Sequence, residues 1–201
     1  MEKYLVPPTE SGGVTITFKQ GKALRVLGLD VSTKTGAVMF DRHGKIVVQK
    51  ELALKPLKNG SSVHRMYRAV ELFHTVRDLV VIERPELVVF EGYGYANAHT
   101  LAVLVELGAM ARHACIYSQV PFIDVAPPTL KKFVTGSGAA KKDQMRLAVY
   151  KKWDYEHDSD NVVDAYALAR LGLAYGGVAP AVTKAEKEAL KKVRESSPKY
   201  G

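Results

Sequence analysis

Two short and almost entirely apolar segments each end on an acidic residue, and this feature constrains the fold more than any other. The segments are VLGLD, which ends at Asp30, and LVVFE, which ends at Glu91. Strands that are apolar on both sides are typical of central strands covered by helices. Because ligands collect at the carboxyl ends of strands in such sheets, we expect both acids at one functional edge.

Two further acids, Asp160 and Asp164, lie four residues apart in the segment DSDNVVDAYALA. On a helix this spacing directs both side chains toward the same point. Burying several ionised carboxylates is costly unless a cation compensates them. Since Mg²⁺ and Mn²⁺ prefer carboxylate and water oxygens, the four acids predict a catalytic site for two Mg²⁺ ions, with Mn²⁺ able to substitute. Such a site activates water for phosphodiester hydrolysis.

Two neighbouring residues compete with Asp160 for the role of fourth ligand. Asn161 precedes Asp164 by three residues and His157 precedes it by seven. We favour Asp160 because a carboxylate neutralises a divalent ion better than an amide does. The alternative interpretation of the acids is structural, with Asp30 forming a turn and the helix acids serving as cap and surface residues.

The order of strand and helix patterns predicts a mixed α/β sheet of five strands with helices on both faces. Alternating segments separated by turns predict an antiparallel meander of three strands. Apolar residues at three-and-four spacing then predict helices that alternate with two more strands. The predicted strands are 24–31, 35–41, 45–52, 87–90 and 120–125, and the predicted helices are 62–82, 97–117, one that starts near Pro127, 141–153 and 160–175.

The length of 201 residues and a hydrophobic content of 47% suit one domain with a full core. We expect an N-terminal arm over 1–22, a nuclease domain over 23–177 and a basic, solvated tail over 178–201. The single cysteine, Cys115, is read as a core residue and fits a reducing compartment. We find no leader-like apolar region and no run that approaches membrane-spanning length, so a cytoplasmic protein without a membrane partner is expected.

The excess of basic residues indicates a polyanionic partner. The chain carries 29 Lys and Arg against 21 Asp and Glu, a formal net charge of +8. This excess is concentrated between residues 130 and 153. There it predicts a surface that binds DNA or RNA phosphates without recognising the base sequence. Two tyrosines that follow Glu91 could stack on unpaired bases or pack into the core. The predicted DNA contacts are Lys131, Lys132, Lys141, Lys142, Tyr93 and Tyr95.

Four motifs in a common order resemble the RuvC-type Holliday junction resolvases of the RNase H-like nuclease superfamily. GLDVSTKTG resembles the first acidic motif, and VVFEGYGYANAHTLAVLVELGAMAR resembles the glutamate strand with its long helix. VAPPTLKKFVTGSGAAKKDQM resembles the segment with a TG-containing loop and paired lysines, and DNVVDAYALA the terminal acidic helix. The resemblance spans about residues 24 to 175.

The resemblance implies a homodimeric, magnesium-dependent endonuclease that binds four-way DNA junctions and cuts two strands of like polarity. Asp30, Glu91 and Asp164 match the acids of the family. Many members place the remaining acid where this chain has Asn161, and the aromatic wedge of the family corresponds to Tyr93 or Tyr95. These departures suggest a divergent or viral member that acts in a bacterial or infected-host cytoplasm, near the nucleoid.

Three other functions compete with junction resolution. The pattern around Asp30 also resembles the phosphate loop of sugar kinases and actin-like ATPases, but such proteins need a duplicated domain that 201 residues cannot supply. A junction-binding protein without catalysis would use the acids structurally. An RNase H-like nuclease that acts on other branched DNA or on RNA/DNA substrates is the remaining alternative.

Overall fold

A computed structural model describes residues 24–55, 61–94 and 98–197. The predicted arm at 1–22 and the predicted DNA contact Tyr95 lie outside these ranges. The strands are β1 (Val26–Asp30), β2 (Lys34–Phe40), β3 (Ile46–Ala53), β4 (Leu87–Glu91) and β5 (Phe122–Val125). The helices are α1 (Ser62–Glu83), α2 (Ala98–Tyr117), α3 (Pro127–Thr135), α4 (Lys142–Trp153), α5 (Asp160–Tyr175) and α6 (Lys184–Ser196).

The strands form a mixed sheet in the order β3-β2-β1-β4-β5. β1 pairs antiparallel with β2, and β2 pairs antiparallel with β3, whereas the β1–β4 and β4–β5 pairs are parallel. The predicted five-stranded mixed sheet is therefore confirmed. Leu29 lies opposite Phe90 in the parallel register, so the residues that follow them, Asp30 and Glu91, meet at the carboxyl edge.

Helices cover both faces of the sheet, as predicted. Successive strand residues point to opposite faces. Leu27 and Leu29 of β1 pack in the core beneath α1 and α2. Val26 packs in the other core, which α3, α4, α5 and α6 complete. This division places α5, with its two acids, on the face opposite α1 and α2.

Two glycines allow α5 to lie almost directly on β1 and β2. A Cβ atom at Gly28 would collide with the carbonyl oxygen of Ala165, and one at Gly36 would collide with that of Asn161. Glycine permits this approach because it has no side chain. The close packing brings the first half of α5, which carries Asp164, to the sheet edge where β1 ends.

The segment after Pro180 differs from the prediction. Thr183 caps α6 by accepting a 3.2 Å hydrogen bond from the backbone N–H of Glu186. Leu190 and Val193 are only 3% and 1% exposed and pack in the same core as α3. The expectation of a solvated extension was wrong for α6, because apolar residues at three-and-four spacing give this lysine-rich run a buried face.

The expectation that no segment approaches membrane-spanning length was wrong for α2. Thr100–Tyr117 forms an 18-residue stretch with a mean hydropathy of 1.2, long and apolar enough to cross a membrane by length and composition. Core helices of soluble proteins meet the same two criteria. Leu107, Ala111 and Cys115 of this helix pack in the core shared with α1. Within this fold, α2 serves as a core-packing helix.

Candidate active site

Asp30 and Glu91 are hydrogen-bonded to each other at the ends of the two central strands. Burial raises the pKa of both carboxyl groups well above their ordinary values. The charge of Asp164 raises both pKa values further, and the charge of Asp30 also raises the pKa of Glu91. The hydrogen bond between the two carboxyl groups lowers the pKa of Asp30 and raises that of Glu91.

Asp164 completes a group of three interacting acids. Burial raises the pKa of Asp164 to about 6, and the charge of Asp160 adds to this effect. The side chain reaches the edge of the sheet because α5 lies so close to Gly28 and Gly36. Asp30, Glu91 and Asp164 come from three elements that are far apart in the chain, and the fold brings their charges together.

The chemistry of these three acids fits a hard divalent cation. Across residues 24–55, 61–94 and 98–197, no three His, Cys, Asp or Glu side chains are already arranged as a formed metal-binding group. Asp30 and Glu91 instead hydrogen-bond to each other. A divalent cation held between these acids would relieve their mutual repulsion, and their carboxylate oxygens are the donors that such a cation prefers. Asp30, Glu91 and Asp164 are the residues that would hold it.

The structure does not bring Asp160 into direct contact with this group. One carboxylate oxygen of Asp160 lies 2.9 Å from Lys142 Nζ, and the other lies 2.5 Å from Arg146 Nη1. Hydrogen bonds from these two cations lower the pKa of Asp160, whereas the pKa values of Asp30, Glu91 and Asp164 are raised. Both carboxylate oxygens of Asp160 already pair with cations of α4, so its assignment as a metal ligand stays a prediction.

The two alternatives to Asp160 have different surroundings. The side-chain amide of Asn161 donates a 2.7 Å hydrogen bond to the carbonyl of Lys34, and Asn161 lines the same cleft as Asp30 and Glu91. The Nδ1 atom of His157 instead accepts a 3.0 Å hydrogen bond from the backbone N–H of Ser159. Asn161 therefore stands nearer to the acids in this arrangement.

Arg112 of α2 is the functional-site residue that the sequence did not reveal. Its guanidinium donates to Asp124 Oδ1 at 3.0 and 2.5 Å, and to the carbonyls of Gly108 at 2.9 Å and Glu91 at 3.3 Å. It also lies over the ring of Phe90, 4.7 Å from the ring centre. No spacing rule connects residues 21 positions apart on a helix and a strand, so only the packing of α2 on β4 reveals this contact.

Tyr93 forms the outer wall of the cleft beside Arg112. The cleft has a volume of about 170 Å³ and is lined in part by Asp30, Glu91, Tyr93 and Arg112. The Arg112 guanidinium lies 5.1 Å from the centre of the Tyr93 ring, and the ring remains 44% exposed. An exposed aromatic ring at the mouth of an acidic cleft is available for stacking.

The sequence matches the family model described as "Crossover junction endodeoxyribonuclease RuvC" over residues 26–171. This chain belongs to the RuvC family. The RuvC of Carboxydothermus hydrogenoformans is 26% identical over 161 residues, which cover 77% of this chain and 99% of the relative. The RuvC of Synechococcus sp. strain CC9605 is 30% identical over 150 residues, which cover 73% of this chain and 96% of the relative.

Solved RuvC structures share the fold. Thermus thermophilus RuvC aligns with a TM-score of 0.60 and 20% identity, covering 73% of this chain and 91% of that chain. The same protein in complex with a Holliday junction substrate gives a TM-score of 0.60 at 21% identity. The yeast mitochondrial Holliday junction resolvase Ydc2 gives a TM-score of 0.51 at 14% identity, covering 89% of this chain and 86% of that chain.

The four predicted DNA-binding lysines have different surroundings in this RuvC-family fold. The positive charge of Lys131 lowers the pKa values of Glu91 and Asp164, and that of Lys142 lowers the pKa values of Asp30 and Asp164. In each case burial raises the pKa by more than the lysine lowers it. Lys132 Nζ instead lies 2.6 Å from a carboxylate oxygen of Glu188 in α6. Lys141 is exposed just before α4. Of these four lysines, Lys131 and Lys142 are therefore the two whose charges act on the acids.

Proposed function

We propose that this RuvC-family protein is a structure-selective endonuclease that resolves four-way DNA junctions by hydrolysing phosphodiester bonds. The observation that carries this proposal is the meeting of three half-buried carboxyl groups, Asp30, Glu91 and Asp164, at one sheet edge. The name of the matching family and the junction complex of the Thermus protein support the choice of substrate.

RuvC-family nucleases use divalent metal ions, and the finer proposal for this chain is two Mg²⁺ ions, with Mn²⁺ able to substitute. Such ions lower the pKa of bound water and stabilise charge that develops on phosphate oxygens. Asp30, Glu91 and Asp164 would hold them through carboxylate oxygens. Asp160 is the proposed fourth acid, and Asn161 is its competitor because it already lines the cleft.

The basic residues around the acids are proposed to position the DNA. Lys131 and Lys142 lie close enough to act electrostatically on the acids, so they can bind the phosphate that is cut and the one beside it. We assign backbone contacts farther from the cut to Lys132 and Lys141. The exposed ring of Tyr93 and, outside the described residues, Tyr95 are the proposed stacking partners for unpaired bases.

A four-way junction has approximate two-fold symmetry, so we propose a homodimer that carries two active sites. Large apolar side chains that remain exposed on α1 and α2 support this assembly, because a second copy could bury them. Met66 is 50% exposed, Tyr67 is 73% exposed and Ile116 is 52% exposed. The proposed location is the cytoplasm, at the nucleoid. The proposed nuclease domain covers residues 23–177, and α6 packs against its core.

The test uses synthetic substrates of equal length and end label. We expect Mg²⁺-dependent cleavage of an immobile four-way junction at symmetry-related positions, much slower cleavage of three-way and flap DNA, and none with chelator. Faster cleavage of an RNA/DNA hybrid would replace this proposal with a hybrid-cleaving nuclease. Tight junction binding without cleavage in either Mg²⁺ or Mn²⁺ would favour a non-catalytic binding protein.

A further inference from the structure

α6 lies beyond the family match, which ends at residue 171, yet it is firmly attached to the nuclease core. Its inner face buries Leu190 and Val193 against the core that includes α3. The buried carboxylate of Glu186 pairs with Lys152 and accepts hydrogen bonds from the backbone N–H groups of Val182, at 2.7 Å, and Thr183, at 2.8 Å. The helix is therefore held in one orientation.

The outer face of α6 carries a stripe of exposed lysines. Lys184, Lys187 and Lys191 occupy positions i, i+3 and i+7, which share one side of a helix. All three are exposed, and the side chains of Lys184 and Lys191 are 92% and 77% exposed. With a rise of about 1.5 Å per residue, the stripe is ~10 Å long. That length covers three steps of about 3.4 Å along the duplex axis, and therefore about four consecutive phosphates of one strand.

The stripe continues the basic surface that borders the acids. Glu188 lies between the two surfaces, with one carboxylate oxygen 2.6 Å from Lys132 Nζ and the other 3.9 Å from Lys184 Nζ. Lys132 is adjacent in α3 to Lys131, whose charge acts on Glu91 and Asp164. Lys131, Lys132 and Lys184 therefore lead from the acid cluster to the outer face of α6, with the carboxylate of Glu188 between Lys132 and Lys184.

We propose that the α6 stripe, defined as Lys184, Lys187 and Lys191, binds the phosphate backbone of a duplex arm that leads away from the cut site. This proposal rests on the proposed function, since it concerns the same DNA substrate. Lysine contacts to phosphates fix the position of a duplex without reading its sequence. The stripe would thus add affinity for long arms while leaving the chemistry at Asp30, Glu91 and Asp164 unchanged.

The test compares the full chain with the triple variant K184Q/K187Q/K191Q. Glutamine has nearly the same helix propensity as lysine, and circular dichroism checks that the fold is retained. The dissociation constant of a long-armed four-way junction is measured without Mg²⁺ at several salt concentrations. Each lost phosphate contact lowers the slope of log K against log salt by about 0.9, so we expect a decrease of about 2 to 3. The cleavage rate at saturating junction should not change.

The matched control K45Q/R77Q/R84Q removes the same charge from the β2–β3 turn, from α1 and from the residue that follows α1. Its salt slope should equal that of the parent. A junction whose arms are too short to reach α6 should bind the parent and the triple variant equally. The proposal is overturned if the triple variant keeps the parent slope on long arms, or if the control lowers the slope equally. A parent chain that neither binds nor cuts junctions would instead refute the proposed function.

Discussion

The acid cluster makes a specific prediction about the pH dependence of stability in metal-free protein. Burial raises the pKa of Asp164 from 3.8 to about 6, a change of about two units. Each unit corresponds to about 1.4 kcal/mol, so ionising Asp164 in the folded state costs ~3 kcal/mol more than in the unfolded chain. Between these two pKa values the folded state binds more protons, and its stability therefore falls as the pH rises.

The variant Asp164→Asn removes this group, so its stability should change less with pH. In the presence of chelator, the free energy of unfolding is measured in urea at intervals from pH 4 to pH 8. Across this range, we expect the free energy of unfolding of the parent to fall by ~3 kcal/mol more than that of the variant, because the variant lacks the Asp164 carboxyl group. The free energy of unfolding of the parent should continue to fall toward pH 8, since the pKa values of Asp30 and Glu91 are also raised.

Asp160→Asn is the matched control, four residues away on the same helix. Lys142 and Arg146 lower the pKa of Asp160, so its ion pairs stabilise the folded state above pH 4 and are lost as the pH falls. Asp160→Asn should therefore destabilise the protein at neutral pH, by about 1 kcal/mol or less for a partly exposed pair. This difference should shrink only below pH 4, as the pH falls through the lowered pKa of Asp160. Equal pH profiles for the parent and Asp164→Asn would refute the reasoning.

Three further predictions follow from individual contacts. Arg112→Lys keeps the positive charge but loses the planar guanidinium that bonds both Asp124 and the carbonyl of Glu91. Single-turnover kinetics should show junction cleavage slowed by about tenfold or more, and binding assays should show little change in junction affinity. Gly28→Ala pushes a methyl group into the backbone of Ala165 and should destabilise the protein by about 1–3 kcal/mol or more in urea unfolding, whereas an unchanged midpoint would contradict the close packing of α5. Glu188→Gln removes the carboxylate that pairs with Lys132, so Lys132 can bind a phosphate and the slope of log K against log salt should steepen by up to about 0.9. A shallower slope would show that Lys132 does not contact DNA.

Local patterns were sufficient to predict the order of strands and helices. The apolar periodicity of 62–82 predicts α1, which runs from Ser62 to Glu83, and the segment LVVFE predicts β4. The same patterns located Asp30 and Glu91 at strand ends. Their meeting follows from the parallel pairing of β1 with β4, which the resemblance to a known strand order made predictable.

The remaining features depend on contacts between residues that are distant in the chain. The i, i+4 spacing placed Asp160 and Asp164 on one face of α5, but it could not show that Lys142 and Arg146 of α4 would pair with Asp160. Likewise, the lysine-rich composition of α6 hid its buried apolar face. That face is visible in the sequence as the three-and-four spacing of Ala189, Leu190 and Val193. The partners of Asp160 are instead decided by which helix packs beside it, and sequence periodicity carries no information on that choice.

The central claim is that Asp30, Glu91 and Asp164 serve the chemical step rather than the fold. The most direct measurement determines junction affinity and Mg²⁺-dependent cleavage separately for D30N, E91Q and D164N, on the same labelled four-way junction. We predict that each variant loses cleavage by several orders of magnitude and keeps or improves its affinity, because a negative charge near phosphate has been removed. Variants that still cut at the parent rate, or that lose binding because they no longer fold, would contradict this account.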